Sequence, residues 1–394
     1  MVFGLSKKIK DIIPVTLFVI SAIIWRTSFY SVGLYILLPV IILYSFWKYK
    51  KAILTSEYFV LYSALVFWMY ISSIFNLNIE ESLNALVPVL ATYLLSFAVL
   101  SLSQNGNNSN ILALGYVCLF ATILYSTVTN DSFTSDFDYA NEAERYENTE
   151  MNANQYAYFS LFAIMSVRLM LGKRRTAKPL LRILLYFLMA GLSFYVALMT
   201  ASRQVLLLEI PVLLFFIYYD FWRGGSSRIR VLIVSAFVLF LIFVLPQAID
   251  LYDSSYLAVR SSEDLQEDER SFLLMLGLQE GLDNPIIGLG LSTDTLFTHC
   301  TYTHLMSRCG IPSLLCFLCI IFKSLIDQYR HYVRTRNSYF IMYLFLLFIF
   351  AIANFFYSYI DQPYMLTILF LIVGDSEKMY HQLNKSKRTS ASCY

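Results

Sequence analysis

Charge is scarce in this chain. Only 14% of its 394 residues are Asp, Glu, Lys or Arg, against about 25% in a soluble globular protein. Histidine is rarer still, with four in all. The alternating segments of about ten residues that mark a transmembrane β-barrel are missing. The basic start Lys7, Lys8, Lys10 leads into an apolar run, but no small-residue cleavage site follows it. It reads as an uncleaved first helix with its basic end inside, not as a signal peptide. No internal repeat is evident. Pro39, Pro88, Pro211 and Pro246 interrupt apolar runs, but not at matching places in two halves, so the paired broken helices of many transporters are lacking. The six cysteines give no disulfide framework. Cys316 and Cys319 have no His or Cys partners flanking them, which argues against a metal or redox site. Cys300 and Cys309 fall on the expected outer, oxidising side and could pair, but unpaired thiols are the leading reading.

What is present is hydrophobic: 58% of residues, with mean hydropathy +0.60. A helix needs about 20 mostly apolar residues to cross a bilayer core. Runs near that length are Phe29–Trp47, Tyr58–Phe75, Ala85–Ser103, Ile111–Thr129, Tyr156–Leu171 and Leu180–Met199. Val205–Trp222, Ile229–Ile249, Ile311–Ile326 and Tyr339–Phe356 follow, and Ile12–Trp25 and Pro363–Val373 are shorter. Backbone groups in lipid must bond internally, so these runs predict an all-α, polytopic integral membrane protein of about 12 transmembrane helices.

The distribution of charge orients the chain. With both termini inside, 22 of the 29 Lys and Arg residues fall in inner segments, the positive-inside pattern. Most acidic residues lie instead in 131–150 and 250–294. The organisation expected is a single membrane domain over 1–394, with an outer loop at 130–154, a large outer loop at 250–309 and a cytoplasmic tail at 377–394. Loops this long are functional or disordered. The larger contains the apolar stretch Phe272–Leu278, which must be buried. Residues Glu263–Gly281 therefore read as a helix lying at the outer interface, broken by Asn284-Pro285. Gly288 and Gly290 follow no strand, so this GxG reads as a tight turn rather than a nucleotide loop.

Group transfer on an outer face has no ATP, so the donor must carry its own activation, as a lipid-linked sugar diphosphate does. Such a donor needs cations for its phosphates, and arginine suits them through its planar fork of donors. Six arginines fall on the otherwise acidic outer side: Arg26, Arg145, Arg203, Arg260, Arg270 and Arg308. Arg203 stands between two spans with almost no loop, a costly place for a charge. Arg270 marks the border of the polar and apolar halves of the interfacial helix. His299 and His304 bracket Cys300–Thr303; histidine can take a proton or donate to a phosphate. Their i, i+5 spacing is poor for a shared metal.

Four segments together resemble the bacterial O-antigen polymerase and O-antigen ligase superfamily. Asn152-Ala153-Asn154-Gln155-Tyr156-Ala157 is similar to its Asn-Pro-Asn-x-x-Ala, and Thr200-Ala201-Ser202-Arg203 to its Thr-x-Ser-Arg. Arg270 with Pro285–Gly290 resembles the arginine and Pro-hydrophobic-x-Gly-x-Gly of its large loop. His299–Tyr302 and Gly310-Ile311-Pro312 resemble its His-Asn-x-Tyr and Gly-Ile-Pro-Gly. Two positions depart: Cys300 replaces the usual asparagine, and Arg308 stands where an acidic residue is common.

The resemblance implies a metal-independent, cofactor-free glycosyl transfer in the bacterial inner membrane, from a glycan on undecaprenyl diphosphate at the outer leaflet. Arg203 and Arg270 would hold the diphosphate, and His299 would orient or deprotonate the attacking hydroxyl or contact the phosphate. Asn154, Arg145, Arg260, Tyr302 and His304 are the expected substrate-binding residues. A chain-length regulator and a flippase are the protein partners implied; no nucleic acid is expected. A polymerase of repeat units for O-antigen, capsule or exopolysaccharide is the leading reading. A ligase passing finished glycan to a lipid or protein acceptor needs the same motifs. A flippase or transporter for the lipid-linked glycan is the alternative of another class.

Overall fold

A computed structural model of the chain describes residues 2–25, 29–76, 78–105, 108–129, 153–172, 179–200, 202–222, 245–253, 269–291, 300–358 and 360–391, with isolated positions between 227 and 242. Among the described residues there are no strands. The helices are α1 (Val2–Ile24), α2 (Leu38–Leu54), α3 (Glu57–Ile74), α4 (Ile79–Ser103), α5 (Asn108–Thr129), α6 (Ala153–Gly172) and α7 (Pro179–Met199). They continue with α8 (Arg203–Ile217), α9 (Leu245–Asp253), α10 (Glu269–Asp283), α11 (Thr301–Thr335), α12 (Tyr339–Ala353) and α13 (Pro363–Ala391).

Six of these helices are long and apolar enough to cross a membrane: α3, α4, α5, α7, α8 with the π turn Tyr218–Trp222 that follows it, and α11. Shorter apolar helices cover Ile12–Ile24, Ala157–Leu171 and Tyr339–Ala353. The run Phe29–Trp47 carries a π turn at Gly33–Leu37 with helical backbone on both sides of it, and most of Ile229–Ile249 lies outside the described residues. The short run Pro363–Val373 opens the 29-residue α13, in which every residue from Pro363 to Ser376 is buried. A helix enclosed on all sides needs no amphipathic face.

The chain forms two compact units, Met1–Gly115 with Leu265–Tyr394, and Tyr116–Asp264. In the first, α13 runs along α4. A cluster of rings joins them to α3: Tyr62 stacks on Phe370 at 5.7 Å, and Tyr93 meets Tyr62 edge-on at 5.0 Å. Such pairs contribute about 0.5–1.5 kcal/mol each beyond their burial. Gly374 permits the closest approach; a Cβ there would stand 1.9 Å from the Ser103 hydroxyl.

In the second unit α6, α7 and α8 pack together. Ser160 of α6 donates to the buried carboxylate of Glu209 in α8. Further along, Arg168 pairs with Asp220 at 2.7 Å, and Tyr186 of α7 donates to the same Asp220 at 2.7 Å. Because both contacts advance together along the sequence, α6 and α8 are parallel, with α7 antiparallel to them. The Arg168 guanidinium also lies 5.8 Å from the Phe216 ring and 5.5 Å from Tyr219.

Candidate functional site

Glycine builds the best-defined polar feature of the first unit. α11 is broken near its start at Gly310, whose φ of 79° belongs to the left-handed region, where a side chain is strained. Gly288 and Gly290, just after α10, also have positive φ, 73° and 91°. These bends let residues 285–290 lie along 307–311. Leu289 N–H donates to the Ser307 carbonyl at 2.8 Å, Gly290 N–H to Arg308 at 2.7 Å, and Ile311 N–H to Pro285 at 2.8 Å. A Cβ on Gly310 would stand 2.1 Å from the Ile286 oxygen, and one on Gly288 would stand 2.4 Å from the Arg308 carbonyl carbon.

α3 holds both strips of backbone. Trp68 Nε1 donates toward the carbonyls of Cys309 at 3.0 Å and Ile286 at 3.2 Å. One turn on, the Ser72 hydroxyl reaches the carbonyls of Ile287 at 2.5 Å and Arg308 at 3.0 Å. The turn expected at the GxG falls just before it, at Pro285–Ile287, and the GxG itself lies along Ser307 and Arg308.

The expected site residues fall into three groups. Arg145, Arg260 and His299 lie outside the described residues. In the first unit, Arg270 is the second residue of α10 and is placed by its backbone alone. Tyr302 and His304 open α11. Tyr302 is buried, its hydroxyl donates to the Ala351 carbonyl at 2.8 Å, and its ring lies 4.5 Å from Phe355. That hydroxyl latches α11 to α12 and retains only acceptor capacity. His304 is half-buried and within electrostatic reach of Arg308 one turn further on. Arg308, the position where the motif departs, is buried and feels the charge of Glu280 on α10. The reversal of sign at 308 is thus matched by an acid on the neighbouring helix. Cys300 and Cys309 are buried and free, with no disulfide between them.

In the second unit, Arg203 is the half-buried first residue of α8, and Asn154 is the second residue of α6, placed by its backbone. Each stands six residues before its helix's partner in the Ser160–Glu209 contact. With about 1.5 Å of rise per residue, both lie some 9 Å along parallel helices from that contact. Asn154 and Arg203 are therefore level, at one end of the unit.

An arginine at a helix N-terminus adds its charge to the positive end of the helix dipole, an arrangement suited to an anion. Among the described residues, no group of three His, Cys, Asp or Glu is arranged to hold a metal ion. Sequence reasoning missed Trp68, Ser72 and Glu280. A Trp and a Ser spaced i, i+4 in an apolar run share one helix face, which is the signal that marked the first two. A scan against protein-family models and a search among curated proteins gave no match to this chain.

Proposed function

We propose that the chain is a multi-pass glycosyltransferase of the bacterial inner membrane that polymerises oligosaccharide repeats carried on undecaprenyl diphosphate. In this reading about 12 helices span the bilayer, both termini are cytoplasmic, and 130–154 and 250–309 face outward. Arg203 and Arg270 grip the diphosphate and stabilise the charge that grows as it leaves, usually the largest catalytic term. His299 orients or deprotonates the attacking hydroxyl. The observation that carries the reading is the docking of Pro285–Gly290 onto Ser307–Ile311. Two motif segments about 20 residues apart in sequence are bonded side by side, as parts of one site would be.

Deletion of the protein tests the proposal through the glycan profile. A polymerase leaves single repeats attached to their final acceptor. Long chains stranded on the lipid carrier would instead identify a ligase, which uses the same residues on a different acceptor. The buried Glu209 and the Arg168–Asp220 pair favour a second reading, a transporter of the same lipid-linked glycan, because buried ionisable groups in apolar helices mark transport paths. Deletion would then leave the repeats unpolymerised and unattached.

A further inference from the structure

The head of α8 offers more than Arg203. Ser202 stands at the N-cap position of this helix, with φ −96° and ψ 88° turning the chain out of helical geometry. A serine there ordinarily turns its oxygen back to accept from the second or third amide of the helix. Ser202 does not: its side chain makes no cap bond. Its hydroxyl has no hydrogen-bond partner, although the residue is only 2% exposed. Gln204, two residues on, also keeps a buried side-chain oxygen without a partner. Thr200 does not compete for the same space; its hydroxyl donates back to the Val196 carbonyl at 2.8 Å.

The first amides of a helix have no acceptor within it, and the aligned peptide dipoles place about half a positive charge there. A buried hydroxyl left unbonded at that point is costly unless something else takes its proton. A phosphate oxygen meets every one of these conditions: it is anionic, it accepts several hydrogen bonds, and it suits the arginine alongside.

We propose that the head of α8 is an oxyanion cradle for a polyprenyl diphosphate, with the Ser202 hydroxyl and the first-turn amides donating to phosphate oxygens beside the Arg203 guanidinium. This assignment rests on the reading of the chain as a transferase that uses a lipid-linked diphosphate, and it adds Ser202 to the residues that bind the donor.

The test is binding to the purified full-length protein in lipid nanodiscs, with three probes: polyprenyl diphosphate, polyprenol of the same length, and inorganic pyrophosphate. Ser202→Ala should weaken the diphosphate lipid about 10-fold or more, the loss expected for one hydrogen bond to a charged group. Polyprenol should be unaffected, and Ser202→Thr should restore binding. Pyrophosphate should displace the lipid from the wild type. Ser202→Asp separates this role from a structural one, because aspartate is among the best N-cap residues yet repels an anion. That variant should match or exceed wild-type thermal stability while losing diphosphate binding. Wild-type affinity in Ser202→Ala, equal loss for polyprenol, or failure of pyrophosphate to compete overturns the cradle. If Ser202→Ala binds normally while Arg203→Ala does not, the cradle alone fails; if both bind normally, the transferase reading fails with it.

Discussion

At the scale of single residues, the proposed chemistry depends on arginines. Arg203→Ala and Arg270→Ala should each lower the rate of chain growth about 100-fold, roughly 3 kcal/mol of transition-state stabilisation. Glycan ladders and protein level, measured together, check this; a normal ladder from either variant removes that residue from the site. His299→Ala should act as strongly and His304→Ala weakly. These candidates stand out in the sequence because charge and histidine are so scarce in the chain. Other positions were not legible. Arg308 and Glu280 read as unrelated charges until α10 packs against α11, and Ser202 read only as a motif letter beside Arg203. Trp68 and Ser72 act on carbonyls more than 200 residues away in sequence, a distance no local pattern encodes. Asp361, in the turn between α12 and α13, makes a different kind of prediction. Burial pushes its carboxyl above the usual aspartate range, so the folded protein holds that proton more tightly than the unfolded chain. Stability tied to this group is fully present at acid pH and is lost as pH rises through the folded-state value. Asp361→Asn should therefore stabilise the protein at neutral pH. The gain should vanish on acidification toward about pH 4, as thermal unfolding in detergent at several pH values will show.

At the scale of elements, glycines and buried pairs set the geometry. Gly310→Ala forces a Cβ into a left-handed residue and against the Ile286 oxygen, and should cost about 1–3 kcal/mol. Loop 284–291 should become sensitive to protease as its bonds to 307–311 weaken. Gly374→Ala should loosen α4 from α13, and adding Ser103→Ala should recover part of the loss by removing the clashing oxygen. The Arg168–Asp220 pair predicts a sharper pattern. Arg168→Met alone leaves a buried carboxylate without its cation and should cost about 3–5 kcal/mol. Adding Asp220→Leu should return most of that stability, measured by thermal melting. The helical nature of the chain and the start of α10's break were readable from apolar length and from Asn284-Pro285. The π turn Gly33–Leu37 was not, because its backbone shift leaves no periodic signal in an all-apolar run. Nor was the true length of α13, whose apolar opening is enclosed by protein and whose later part is polar.

For the whole molecule, hydrophobic length and the positive-inside bias set the expected arrangement in the bilayer. Single cysteines placed at Asp283 and at Arg334, in a cysteine-free background, test it. A membrane-impermeant maleimide should label position 283 on intact cells and position 334 only after permeabilisation; the reverse pattern inverts the topology. The division into two units could not be read from the sequence, since no linker or change of composition marks it. The unit boundary near 115 falls inside a single apolar helix. The measurement closest to the central claim uses purified protein, lipid-linked single repeats and no other enzyme. Elongation of those repeats into a ladder on the carrier lipid is the predicted result, lost in Arg203→Ala. Transfer of the unaltered lipid across the vesicle, with no product longer than one repeat, would contradict it.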